Sequence, residues 1–194
     1  MSSPEAVAPP TSTEPAPDPA FSWHAVLEVV QALLLAVAIS FVLNTWVVQV
    51  TEVLQRSMEP TLMQNDRVFV SKVDYRFGSP QHGDIIVFNP PTPSTIPFVK
   101  RVIGVGGDVI ELRGGKVFVN GVLEQTPQAH GETLPQVATV AYPFTVPVGQ
   151  VFVMGDNRSF SSDSRTFGSV PVPNIIGKVI LRFWPVDRLV FFAW

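Results

Sequence analysis

From Ala25 to Val48 the chain is apolar almost without interruption, AVLEVVQALLLAVAISFVLNTWVV, with Glu28, Gln31 and Asn44 as the strongly polar exceptions near its ends. A helix built from this run has no polar face. At ~1.5 Å per residue it is long enough to cross a hydrocarbon layer of about 30 Å. Trp23 and Trp46 bracket it as interfacial anchors would. The pattern predicts a membrane-spanning helix over 23–48. A cleaved leader would carry a basic stretch ahead of a shorter apolar run, and residues 1–24 contain no Lys or Arg.

Beyond Val50 the periodicity changes. RVFVSKV, DIIVFNP, FVKRVIGV, DVIELR, KVFVNGV, QVFVMGD and IIGKVILRFW are short β-branched runs divided by Gly, Pro, Asn and Asp. Gly114-Gly115 and Asn120-Gly121 are two-residue hairpin signals. No stretch of this region sustains a helical period. The expected fold class is therefore all-β, an antiparallel β-sheet domain over 50–194 behind the N-terminal helix. A loop-rich excursion or small subdomain is expected at about 113–148. Residues 1–22 are rich in Pro, Ala, Ser and Thr, lack the apolar residues of a core, and read as a disordered tail.

Composition narrows the function. With 46% hydrophobic and only 15% charged residues, the chain is more apolar than a typical soluble protein, which adds weight to a lipid bilayer as partner. A net charge of −3 gives no basic excess and makes nucleic acid an unsuitable partner. The chain has no cysteine, which rules out disulfides, thiolate metal sites and a cysteine nucleophile. Charge alone leaves the orientation of the span open. Arg56, Arg67 and Lys72 follow it and the tail has no cation, yet the positive-inside rule loses force when a long folded domain comes next. Trp184, Phe191, Phe192 and Trp194, near the C-terminus, are further candidates for lipid contact.

Ser57, in VLQRSMEPTL, sits just ahead of a proline turn close behind the apolar run. A nucleophilic serine needs a base. Of the three histidines, His24 abuts the span, His130 falls in the excursion, and His82 with Asp84 reads as turn chemistry rather than a Ser-His-Asp arrangement. No metal-ligand spacing appears, and neither a metal nor a cofactor is expected. Lysine is the other possible base, provided burial lowers its pKa. Among four lysines, Lys100 and Lys178 each interrupt an apolar strand, and the residues alone leave these two tied.

SMEPTL (57–62), HGDIIVF (82–88), FVKRVIGVGGDVIEL (98–112) and GDNRSFSSDSRTFG (155–168) resemble, in order, the conserved boxes of type I signal peptidases, the membrane-anchored Ser-Lys endopeptidases that remove signal peptides. The resemblance implies an antiparallel β-sheet catalytic domain of signal-peptidase type. It makes Ser57 the nucleophile and Lys100 the general base. It implies that Ser161 orients the lysine amine, that Asp163 and Arg165 support the site, and that Asp156, Asn157, Arg158 and Arg101 hold the strands together. The family's taste for small residues before the cut implies shallow substrate pockets around Val53, Met58, Leu62, Phe98 and Val99. Its partners would be signal-peptide-bearing precursors, the lipid bilayer and the export translocon. Its location would be the bacterial inner (plasma) membrane or a thylakoid or other organelle membrane, with the catalytic domain on the exported face.

The resemblance departs from its pattern two residues before the nucleophile. Family members usually carry Ser, Thr or Gly there, where a hydroxyl helps bind the oxyanion, and this chain has Gln55. The Gln55 amide is the replacement donor to consider. Two other readings share parts of the pattern. Self-cleaving repressors use Ser-Lys chemistry but carry a DNA-binding module and no span. A catalytically silent paralogue would keep the fold and bind exported chains or membrane partners.

Overall fold

The computed structural model describes residues 23–42, 47–136 and 140–192. The expected tail over 1–22, Trp46 and Trp194 lie outside them. The chain divides into two compact units, Met1–Ser40 and Phe41–Trp194.

Helix α1, Trp23–Val42, forms most of the described part of the first unit. Apolar side chains are exposed all round it: Leu27, Val29, Leu35, Val37 and Ile39, which point in different directions about the axis, are all exposed, and Trp23 is 71% exposed. The uninterrupted apolar run produces a helix with no polar stripe, so no face of it is marked for a protein core. Among the described residues no helix is long and apolar enough to cross a membrane. The span expected over 23–48 includes residues 43–46, which lie outside the described ones, and the structure does not establish it.

The described residues of the second unit form twelve strands in two sheets. The larger sheet contains β1 (Val48–Glu52), β2 (Arg67–Ser71), β3 (Ile85–Phe88), β4 (Phe98–Val105), β9 (Gln150–Met154), β10 (Val170–Pro171), β11 (Ile175–Trp184) and β12 (Val190–Phe191). Its order is β1-β2-β11-β3-β4-β9-β10, with β12 attached to β11. The smaller sheet contains β5 (Val109–Arg113), β6 (Lys116–Val119), β7 (Val122–Leu123) and β8 (Phe144–Thr145), in the order β7-β6-β5-β8. Every strand pairing in both sheets is antiparallel, as expected for the region after Val50. Both hairpin signals form turns. Gly114 and Gly115 at φ 56° and 72° join β5 to β6, and Asn120 and Gly121 at 52° and 79° join β6 to β7. Positive φ at both central residues matches the right-handed twist of the strands.

Alternation along the strands sorts the core. Val68 and Val70 of β2 are fully buried with Val53, Met58, Leu62 and Val99 in one apolar cluster. Phe69, between them, stacks instead on Phe183 at 4.5 Å. A second cluster joins Ile103, Phe152 and Met154 of the larger sheet to Ile110 and Val117 of the smaller one and to Val146 beside β8, so the smaller sheet is fixed to β4 and β9. A third packs Ile86, Phe88, Val102 and Val153 within the larger sheet. Of the C-terminal aromatics, Trp184 and Phe191 are 51% and 71% exposed, whereas Phe192 packs against the first cluster.

Candidate active site

Ser57 is the middle residue of a single 3-10 turn, Arg56–Met58, that follows β1. Its neighbour Met58 is buried in the first apolar cluster and pins the turn to the sheet. The Glu59 amide closes the turn onto the Arg56 carbonyl at 3.2 Å, and the Leu62 amide ties the next residues to the Met58 carbonyl at 2.9 Å. From the far end of the sequence, the Asn157 backbone N–H donates to the Ser57 carbonyl at 3.0 Å, and its side-chain amide donates to the Arg56 carbonyl at 3.4 Å. Gly155 makes this approach possible. A Cβ there would lie 2.3 Å from the Ser57 carbonyl oxygen and 2.4 Å from Ser161 Oγ, so any side chain would push the 155–161 segment off the serine turn.

Lys100 lies on β4 opposite Ile86 of β3. It is fully buried, and its Nζ is 2.6 Å from Ser57 Oγ. The Phe98 ring lies under the amine, 5.1 Å from Nζ to the ring centroid. Burial in these surroundings pushes the Lys100 pKa down from 10.5 to about 8; the nearby Asp163 carboxylate pulls it upward and the Arg165 guanidinium pushes it down. A fraction of the amine is therefore neutral at mild pH, within hydrogen-bond reach of a hydroxyl. Lys178 differs. Its Nζ is ion-paired with Asp84 Oδ1 at 2.7 Å, and Asp84 also accepts from the Tyr75 hydroxyl and the Gln81 amide. His82, paired in sequence with Asp84, instead contacts Asp108 at 2.7 Å.

Asp163 and Arg165 form a fully buried pair, with Nε on Oδ1 at 2.8 Å and Nη2 on Oδ2 at 2.9 Å. Asp163 also accepts the Gly155 amide at 3.1 Å, and Arg165 donates to the Arg158 and Ser161 carbonyls. The pair is thus tied to the 155–161 backbone on both sides, and Arg165 Nη1 reaches the Leu134 carbonyl at 3.5 Å, the further hydrogen bonding that a buried pair requires. Asp156 takes the two-pronged guanidinium of Arg101 at 2.8 and 2.7 Å and also the Thr61 hydroxyl. It thereby links the segment after Ser57 to β4. Arg158 reaches Glu124 at 3.1 Å and the Gly155 carbonyl at 3.1 Å. Ser161 does not make the lysine hydrogen bond expected of it: its Oγ is buried and has no partner among the described residues.

A groove of about 310 Å³ opens on Ser57. Of the five residues named for substrate pockets, Val53, Met58 and Val99 line it, together with Gln55. Leu62 does not reach it and is fully buried in the core beneath. Phe98 does not reach it either and packs against Phe88 and Phe167. The rest of the lining comes from β1, from Leu54 and from Ile96 and Pro97, which sequence reasoning missed. A strand edge recognises a chain through its backbone, and no residue type marks it. Gln55 stands just ahead of the serine turn in extended conformation, and its side chain makes no capping hydrogen bond. Among the described residues no cluster of His, Asp and Glu is arranged to hold a metal ion.

A buried amine of lowered pKa beside a hydroxyl, at the end of an apolar groove, is suited to acyl transfer. Known proteins point the same way. A family profile described as signal peptidase, peptidase S26, matches residues 26–184. The chain is 37% identical over 191 residues to a signal peptidase I of Leptolyngbya laminosa, covering 93% of this chain and 92% of that one. It is 38% identical over 187 residues to a probable signal peptidase I-1 of Synechocystis, covering 90% and 89%. It is 34% identical over 169 residues to a chloroplastic thylakoidal processing peptidase 1 of Arabidopsis thaliana, covering 82% of this chain and 48% of that one.

Proposed function

The chain belongs to the signal peptidase family, peptidase S26, and is a serine peptidase; from that membership we propose that it removes signal peptides from exported precursors with a Ser57-Lys100 dyad. The observation that carries the reading is the 2.6 Å contact between Ser57 Oγ and the buried Lys100 Nζ. Neutral Lys100 takes the proton of Ser57 as Oγ bonds to the scissile carbonyl carbon. The resulting ammonium returns that proton to the departing amine as the C–N bond breaks, leaving an acyl-enzyme. Lys100 then deprotonates a water, hydroxide displaces Oγ, and the proton passes back to Ser57.

β1 ends the larger sheet, so its outer edge offers backbone groups to an extended substrate, which would pair there with small side chains directed at Val53, Met58 and Val99. The oxyanion would be held by the Ser57 backbone N–H and by the amide of Gln55, which lines the same groove. One such donor is worth about 10²–10³ in rate. Gln55→Ala should therefore slow cleavage, and Gln55→Ser should be tolerated.

The apolar segment that begins at Trp23 is the proposed membrane anchor. The support is the exposure of apolar side chains all round α1. Exposed Trp184 and Phe191 are the proposed lipid contacts of the second unit, which would face the exported side of a bacterial or thylakoid membrane. Cleavage of a signal-peptide-bearing precursor by the purified full chain in detergent, with Ser57→Ala as control, tests the central reading. A wild-type protein as inert as the Ser57→Ala variant would overturn it.

A further inference from the structure

The turn that carries Ser57 separates two hollows. Gln55, Ser57 and Met58 line the groove beside β1, whereas Arg56 and Glu59 line a second hollow of about 290 Å³. Its other walls are His130, Asn157, Ser159 and Phe160. Those walls are tied to the turn. Asn157 donates to the carbonyls of both Arg56 and Ser57, and His130 exchanges backbone hydrogen bonds with Asp156 and Arg158 on either side of it.

Acyl transfer at Ser57 divides a chain in two. The half that becomes the acyl group lies in the groove, and the leaving half must depart across the serine turn. Consecutive Cα atoms are ~3.8 Å apart, so a hollow walled by the residue next to Ser57 begins within about three residues of the cut. We infer that this hollow, lined by Arg56, Glu59, His130, Asn157, Ser159 and Phe160, holds the first residues of the leaving chain and favours a carboxylate side chain there. The inference rests on the proposed role of Ser57.

Accessible charge decides the preference. The Arg56 side chain is 72% exposed, but that of its partner Glu59 only 15%. Arg56 gives Nε to Glu59 at 3.0 Å, and neither of its Nη groups has a partner among the described residues. A ligand entering the hollow therefore meets the cation before the acid. The Asn157 amide, the Ser159 hydroxyl and the His130 ring add further donors, all suited to an acceptor-only group. Because the charge is exposed, the effect is a few-fold and is weakened by salt.

The test uses precursors that differ only by Glu, Gln or Lys at one of the first three positions after the cut, cleaved by the full chain at low salt. At one of those positions wild type should favour Glu over Lys by about three- to fivefold in kcat/KM. Arg56→Gln should bring that ratio near one and Arg56→Glu should invert it. His130→Glu, on the opposite wall and outside the serine turn, should lower it independently. A wild-type ratio near one at all three positions overturns the inference. So does a ratio that survives both Arg56→Glu and His130→Glu. A wild type that cleaves none of the precursors overturns the proposed function instead.

Discussion

Lys100 and Lys178 occupy one row of the larger sheet: register pairs Ile86 with Lys100 on one side and with Lys178 on the other. Both are buried, at 0% and 8% exposure, and both interrupt strands of otherwise apolar residues. Their partners differ. An acid two residues before Ile86 meets Lys178 at 2.7 Å, while a hydroxyl from the turn after β1 meets Lys100 at 2.6 Å. A buried ammonium with a carboxylate beside it is a structural ion pair, whereas one without a directly bonded acid sheds its proton more easily and becomes a base. The strand supplies a position, and the segments that fold over it determine its chemistry.

The largest expected difference between the two is in cleavage. Lys100→Met should lower kcat by about 10²–10⁴, the usual worth of a general base. Lys178→Met should stay within about threefold of wild type. Single-turnover cleavage of one precursor by both variants makes the measurement, and equal losses would erase the distinction between a base and a structural lysine.

In stability the order of the two reverses. Lys178→Met leaves the buried Asp84 carboxylate with the Tyr75 hydroxyl and the Gln81 amide but without its ion-pair partner, and should cost up to about 3–5 kcal/mol in denaturant unfolding. Lys100→Met should instead stabilise. The folded pKa of about 8 lies below the ordinary 10.5, so between these values the unfolded chain holds a proton that the folded one has lost, and stability rises with pH across that window. Below about 8 the full cost of burying the ammonium is present. Replacing Lys100 with Met removes that cost, a gain on the order of 3 kcal/mol at neutral pH that fades as pH approaches 10.5. A Lys100→Met variant less stable than wild type at pH 7 would contradict the burial argument.

The pH profile sharpens the same contrast. Because only neutral Lys100 accepts the serine proton, kcat/KM should rise about tenfold per pH unit well below a bend near 8, roughly fiftyfold between pH 6 and 8. Lys178→Met should leave that bend where it is. A profile flat from acid to alkaline pH would remove lysine as the base.

The strands and both hairpins were legible because they depend on local signals: β-branched runs, and glycines at positions that demand positive φ. The tie between the lysines was not legible from periodicity, since the partner of Lys100 lies 43 residues earlier in the chain and nothing local marks that contact. Only the resemblance of the four boxes separated them. Leu62 and Phe98 mark the opposite limit. Both adjoin the site in sequence and are apolar, yet the side chains turn into the core: Phe98 takes the face of β4 opposite to groove-lining Val99, and Leu62, in the bend after the serine turn, belongs to no strand. The bare edge of β1, with Gln49, Val50 and Thr51 along the groove, gave no signal because its function lies in its backbone.

The smallest expected effect concerns Ser161, which lies on the Lys100 side of the comparison and has no counterpart at Lys178. Its Oγ is buried without a partner among the described residues. It is nevertheless held close to the serine turn, since Ser161 Oγ and the Ser57 carbonyl both crowd the space beside Gly155. A buried hydroxyl that makes no bond carries its desolvation cost without return, so Ser161→Ala should leave the unfolding free energy unchanged or raise it by about 1 kcal/mol. If the hydroxyl positions the amine once substrate fills the groove, the same variant should lose about tenfold in kcat with little change in KM, and Ser161→Thr should recover part of the loss. The alkaline bend should also move, because a hydrogen bond to Lys100 shifts its pKa. A Ser161→Ala variant with unchanged kcat and an unchanged bend would make the hydroxyl a bystander. The 2.6 Å contact of Lys100 with Ser57 and the Asp84 ion pair of Lys178 would then separate the two lysines without help from Ser161.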